Sequence, residues 1–171
     1  MKLQKIVSHL QKLHPKEIDL SLDRIKILCE KLGNPQDKIK AISVVGTNGK
    51  QSTINAIFSI LKEAKVKCNV YTSPHIQKIN ERFVFNNNML HDDELIDLFE
   101  EVEKINDQNP LTFFEALTAC YFYKAAQYPN NINLIEAGLF HRFDATNILK
   151  DNLASIVSVS YTHLTLPTMY T

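Results

Sequence analysis

Ser43-Val44-Val45-Gly46-Thr47-Asn48-Gly49-Lys50-Gln51-Ser52-Thr53 decides how the rest of the chain is read. The apolar run Ala41 to Val45 has the length and character of a buried strand. Gly46 to Gly49 cannot easily continue it. From Lys50 onward Ile54, Ile57, Phe58, Leu61 and Ala64 fall at helical spacing. Strand, glycine loop, lysine, hydroxyl and helix is the order a phosphate site needs. A helix N-terminus offers amides with no intrahelical acceptor and a partial positive charge. Glycines let the backbone approach the phosphates, a lysine reaches the β and γ oxygens, and a hydroxyl can hold Mg²⁺. The stretch departs from G-x-x-x-x-G-K-[ST] twice: Val44 stands at the first glycine and Gln51 at the hydroxyl. The competing reading is a plain strand–turn–helix connection with a surface lysine.

The bulk properties narrow the class. A chain of 171 residues can bury a core and is read as one domain. Acidic and basic residues balance at 19 each, so no global field attracts nucleic acid or an anionic membrane. No apolar run approaches the roughly 20 residues that cross a bilayer. Met1-Lys2-Leu3-Gln4-Lys5 lacks an apolar signal core, so a cytoplasmic location is expected. Cys29, Cys68 and Cys120 are scattered without metal-ligand spacing and read as reduced core residues.

Leu3, Ile6, Val7, Leu10 and Leu13 predict an amphipathic helix over 2–14, and Leu22, Ile25, Leu28 and Leu32 a second over 21–32, with Ser21 as its N-cap and Gly33 as its stop. Lys67 to Tyr71 reads as a strand, closed by Thr72-Ser73-Pro74-His75. In open parallel sheets, ligands sit beyond the carboxyl ends of strands. Arg82 to Phe85 followed by Asn86-Asn87-Asn88 reads as a short strand and turn. Asp92-Asp93-Glu94 opens a helix whose acids suit its dipole. Thr112 and Glu115, three apart, fit a capping box for a helix running to about residue 127. Ile132 to Glu136 is an apolar strand ending in an acid, a reasonable Mg²⁺ ligand in a chain that also carries a phosphate loop. Ala154 to Val159 is a further strand. Strands alternating with helices predict a doubly wound, mainly parallel α/β sheet of the P-loop type.

Several of these stretches resemble one family. Gly46-Thr47-Asn48-Gly49-Lys50-x-Ser52-Thr53 resembles the nucleotide loop of the Mur ligase superfamily. Thr72-Ser73-Pro74-His75 with Glu81-Arg82, Thr112-Phe113-Phe114-Glu115, and Glu136-Ala137-Gly138-Leu139 with Arg142-Phe143-Asp144-Ala145-Thr146-Asn147 are similar to segments of the folylpolyglutamate synthase/dihydrofolate synthase family. The resemblance runs from about Ile18 to Val159 and implies part of that family's ATP-binding domain, without its C-terminal domain. It implies ATP-dependent joining of L-glutamate to a folate or dihydropteroate through an acyl phosphate, by a monomer whose partners are small molecules. On that resemblance ATP is bound by Gly46, Thr47, Asn48, Gly49, Lys50, Gln51 and Ser52, with Lys50 stabilising the transferring phosphoryl. Mg²⁺ falls to Ser73, Glu136 and His163. The pterin surface falls to Asp19, Leu20, Ser21, Thr112, Phe113, Phe114, Glu115, Phe143, Asp144 and Ala145.

The chain departs from the family in three places. Gln51 and Phe140-His141 stand where it has glycines, and Leu164 to Thr171 matches nothing in it, so the sequence from about Ser160 onward is expected to be foreign to the gene. Two other functions stay open at this point. A Mur-type peptidoglycan ligase shares the loop but not the Thr112–Glu115 and 142–147 stretches. A non-catalytic nucleotide-binding module would suit Gln51, Phe140-His141 and the tail.

Overall fold

The structure is a computed structural model and describes residues 2–13, 21–138, 143–150 and 152–159. Two helices, α1 (Lys2–Lys12) and α2 (Asp23–Lys31), precede strand β1 (Lys40–Val45) and helix α3 (Lys50–Glu63). Then come β2 (Cys68–Tyr71), β3 (Phe83–Phe85), β4 (Asn88–Met89), α4 (Asp92–Asn106), α5 (Phe113–Ala125), β5 (Ile132–Glu136) and β6 (Asn152–Val157). The strands form one sheet in the order β4-β3-β2-β5-β1-β6. β2, β5, β1 and β6 run parallel, and β3 and β4 add antiparallel at one edge. The mainly parallel α/β sheet read from the sequence is the observed fold.

Alternation along the strands sends side chains to two different layers. Ile42, Val44, Val70, Ile132 and Leu134 meet Ile54, Ile57, Phe58 and Leu61 of α3 on one face. Ala41, Tyr71, Phe83 and Ile135 pack on the other face against α2, α4 and α5. α5 is apolar on all sides and buried on nearly all of them, as a helix sandwiched between a sheet and other helices must be. Thr112 caps it by accepting the Glu115 amide at 3.1 Å, and the Glu115 carboxylate accepts the Thr112 N–H at 2.7 Å. The capping box expected from the Thr112–Glu115 spacing is therefore present. Ser21 accepts the Asp23 N–H at 3.0 Å, but Leu22 is the cap residue, so that helix starts two residues later than its spacing predicts.

The β3–β4 turn is Asn86-Asn87, both at positive φ (53° and 69°), the backbone of a two-residue type I′ hairpin. Asparagine tolerates that region better than most residues. Below it lies a buried amide layer that the hydrophobic pattern did not announce. Asn69 donates to Asn133 at 3.0 Å, Asn131 donates to Asn69 at 2.9 Å, and the Tyr121 hydroxyl donates to Asn133 at 3.0 Å. Among the described residues no helix is long and apolar enough to cross a membrane.

All three cysteines are buried and free. Burial lifts the Cys29 thiol to about 12 and raises Cys68 and Cys120 as well. The thiolate is the reactive form. A disulfide reagent at pH 8 is therefore expected to leave the native chain almost unlabelled and to titrate three thiols in urea. Labelling at equal rates in both conditions would contradict the packing.

Candidate active site

Three neighbouring parallel strands, β2, β5 and β1, end on the same side of the sheet, and their following residues converge there. Register makes the meeting tight. Val44 of β1 pairs with Glu136 of β5, and Tyr71 of β2 pairs with Ile135. The glycine loop therefore leaves β1 beside the carboxylate that ends β5, and Ser73 leaves β2 on that carboxylate's other side.

Val44, at the place where the usual motif has its first glycine, is fully buried inside β1. The loop proper is thus only Gly46 to Gly49. Gly46 lies at φ 140° and Gly49 at φ 78°, both in the half of backbone space that suits glycine. Gly49 caps α3, so the amides of Lys50, Gln51 and Ser52 lie in its first turn, where no intrahelical acceptor exists. Thr47 and Asn48 instead donate to the Val159 carbonyl, at 2.6 and 3.3 Å. The Thr53 hydroxyl donates back to the Gly49 carbonyl at 2.9 Å, a helix-start role.

Lys50 turns back over the loop. Its ammonium donates to the Gly46 carbonyl at 3.0 Å and lies 3.9 Å from Oε1 of Glu136. The other carboxylate oxygen, Oε2, accepts the Ser73 amide at 3.0 Å. Desolvation raises the Glu136 carboxyl above its ordinary value, while the Ser73 amide, Lys50 and Arg82 pull it back. A buried carboxylate with one long ion pair and one amide partner has lone pairs to offer. Among the described residues no group of three or more His, Cys, Asp or Glu could hold a metal. Glu136 and the Ser73 hydroxyl make a two-member set of hard oxygens. Such a set fits Mg²⁺, which commonly keeps water and phosphate oxygens for the rest of its shell.

A cleft of about 520 Å³ opens beside these groups, lined by Lys50, Ser73, Pro74, Arg82, Phe114, Ala137, Gly138 and Asp144. Asp144 accepts from the Thr146 amide at 3.0 Å and from the Thr146 hydroxyl, opening the short 3-10 turn Ala145–Ile148. Its other oxygen lies against Gly138, where a methyl group would collide with it and sit 3.4 Å from the Phe114 ring.

The sequence-derived site residues divide into groups. Lys50, Ser73, Glu136, Phe114 and Asp144 come together around the cleft. Ala145 is buried beside it and Phe143 is exposed. Phe113 faces a separate groove with α1. Thr112 and Glu115 are engaged in the cap, and Glu115 also accepts from Arg24 Nε at 3.1 Å. Asp19, Leu20, His163, Phe140-His141 and the tail lie outside the described residues. Arg82 and His75 had no role in the sequence reading, yet Arg82 lines the cleft and donates from Nε to His75 Nδ1 at 2.9 Å. Their signal was the resemblance of Thr72-Ser73-Pro74-His75 and Glu81-Arg82 to the family, together with their place after a strand that ends at the site.

Sheet order, loop and converging strand ends define an α/β domain of the P-loop type. The comparisons with known proteins narrow this. No family model matches the chain. It is 35% identical over 159 residues to the dihydrofolate synthase/folylpolyglutamate synthase of Escherichia coli (strain K12), covering 92% of this chain and 37% of that protein. The structure of E. coli FolC in complex with DHPP and ADP superposes with a TM-score of 0.83 at 34% identity, over 91% of this chain and 37% of that one. The bifunctional folylpolyglutamate synthase/dihydrofolate synthase of Yersinia pestis complexed with AMPPNP and Mn ion superposes at 0.82 and 32% identity, over 90% and 38%. The chain belongs to the folylpolyglutamate synthase/dihydrofolate synthase family. It spans little more than a third of the length of the relatives it matches.

A methyl group on Gly46 would collide with the Ser158 hydroxyl and come within 2.8 Å of the Val159 carbonyl, whereas one on Gly49 would meet nothing closer than 3.6 Å. Both positions carry the backbone strain of positive φ. Gly46→Ala is therefore expected to cost about 1–3 kcal/mol and to cost more than Gly49→Ala. Urea unfolding midpoints test the order, and equal losses would refute the close approach.

Proposed function

We propose that this chain carries the nucleotide site and part of the acceptor site of an ATP-dependent ligase. That ligase joins the amino group of L-glutamate to the carboxylate of a folate or a dihydropteroate. The observation that carries the reading is the convergence of the glycine loop, Lys50, Ser73 and Glu136 at three adjacent strand ends, in a chain of this family. The relatives' names and the ADP, AMPPNP and DHPP in their structures support it.

In the first step an oxygen of the acceptor carboxylate attacks the γ-phosphorus of ATP. The bond from that phosphorus to the bridging oxygen breaks, and ADP leaves. In the second step the glutamate amine attacks the acyl carbon of the resulting acyl phosphate. The bond to the phosphate oxygen breaks, the amine loses its proton, and phosphate leaves. Such chemistry asks a protein mainly for position and charge neutralisation.

The loop Gly46 through Ser52 is assigned to the phosphates, with the amides of Lys50, Gln51 and Ser52 in the first turn of α3 as its donors and the helix dipole added. Lys50 is held at the loop by the Gly46 carbonyl and follows the transferring phosphoryl group. Glu136 and Ser73 would hold Mg²⁺, which when bound neutralises phosphate charge. Gln51 supplies its backbone N–H and turns its side chain outward, where it is exposed. Phe114, Phe143, Asp144 and Ala145 are assigned to the flat acceptor ring. Thr112 and Glu115 act through the helix start that aims Phe113 and Phe114. A cytoplasmic location agrees with three free thiols.

Lys50→Ala removes the ammonium that lies over the loop and Glu136's ion pair with it. Titration calorimetry with MgADP is expected to show at least about tenfold weaker binding, the scale of a lost charged hydrogen bond. Glu136→Gln should weaken MgADP but leave metal-free ADP within about threefold. If Lys50→Ala binds MgADP like the unmodified chain, the phosphate assignment is wrong.

A further inference from the structure

We propose that Arg82 receives the carboxylate of the acceptor in this cleft, with His75 holding its guanidinium in place. The proposal rests on the ligase reading and extends it to a residue and a ligand group.

Arg82 is 8% exposed, in the 3-10 turn Ile79–Arg82 that leads into β3. A cation that deep normally lies against a carboxylate, because burying it without a partner is costly. Among the described residues Arg82 forms no ion pair. The carboxylate next to it in sequence, Glu81, is engaged elsewhere, accepting the amides of Ile76, Gln77 and Lys78 at 2.7, 2.9 and 2.8 Å. Glu136 is engaged by Lys50 and the Ser73 amide, and Arg82 acts on its carboxylate only from beyond ion-pair distance. The side-chain partner of Arg82 is neutral: His75 Nδ1, 2.9 Å from Nε. That bond assigns the His75 proton to Nε2, because Nδ1 must accept. It also fixes the plane of the guanidinium by its Nε edge. The two terminal amino groups form the remaining fork, and the side chain lines the cleft. A planar fork of two N–H donors matches a carboxylate in bidentate geometry.

Position separates this anion from the nucleotide. The phosphates belong to the loop after β1. Arg82 enters from the opposite side, from the β2–β3 connection, and shares the cleft with Phe114 and Asp144. An acceptor with its ring over Phe114 would direct its carboxylate between Arg82 and Lys50. Two cations there would hold both carboxylate oxygens and offset the charge that builds up when one of them is phosphorylated. His75 is a positioning residue, acting through Arg82.

Isothermal titration of the 171-residue chain with dihydropteroate and, separately, with MgADP tests this. Arg82→Met is expected to weaken dihydropteroate about tenfold or more and MgADP by less than about threefold. Arg82→Lys keeps the cation but loses the fork, and should fall between. His75→Ala should weaken dihydropteroate about three- to tenfold. His75→Asn, whose amide oxygen can accept from Arg82 Nε, should recover most of that loss. A merely structural role for His75 would give no such recovery. Should Arg82→Met lack a cooperative melt, Arg82→Gln and Arg82→Lys decide on the same criterion. Unchanged dihydropteroate binding in the Arg82 variants overturns the proposal. So does an equal loss for both ligands, or a chain that binds MgADP but not dihydropteroate. A chain that binds neither ligand overturns the ligase reading itself.

Discussion

A carboxylate at the end of the central strand organises one whole end of this molecule. Glu136 closes β5, whose preceding residues Leu134 and Ile135 are fully buried, and is itself buried. Its two oxygens therefore have to be served locally. Oε2 takes an amide from the turn after β2, and Oε1 faces an ammonium from the helix after β1. Each neighbouring strand thus sends one donor, and the carboxylate sets where both connections lie. The cost of burial appears in its raised pKa, which three positive or amide groups only partly offset. Buried acids whose pKa is perturbed in this way cluster at functional sites.

The rest of the fold holds those connections still. α5 lies against the sheet face opposite α3, and its first turn is fastened twice, by the Thr112–Glu115 exchange and by Arg24 from α2. Because of that fastening, Phe114 enters the cleft from a rigid helix start. At the far end of the strands the Asn69–Asn131–Asn133 layer plays a matching part. Each buried amide has partners there, so the parallel strands are locked in register by hydrogen bonds as well as by apolar packing.

The strand, loop and helix around Lys50 were legible because their residues obey strong local rules: glycine at positive φ, apolar side chains at helical spacing, an apolar run of strand length. The capping box was legible for the same reason. Ser73 and Glu136 could be named, but only as residues ending strands. Their meeting depends on β5 lying between β1 and β2, an order that no local pattern records. The role of Val44 was obscured by the usual motif, which places a glycine where this chain places a buried strand residue. Arg82 and His75 were missed because a buried arginine without a carboxylate is defined by what surrounds it in space. The asparagine layer was not legible because Asn69 and Asn133 lie inside runs that read as strands, and no local pattern records that β2 and β5 set them side by side.

The glycine loop after β1 is clasped from outside its own neighbourhood. The Ser158 hydroxyl lies 3.0 Å from the Val45 carbonyl and 2.7 Å from the Asn48 carbonyl, across 110 residues of chain, and β6 must be seated for either approach. In vectorial synthesis the loop is made first and its clasp later. At about 5–20 residues per second, roughly 5–20 s of translation separate the two. Through that interval the growing chain presents the loop's sequence without its shape, so a nascent chain would carry the motif well before the motif could take its folded form.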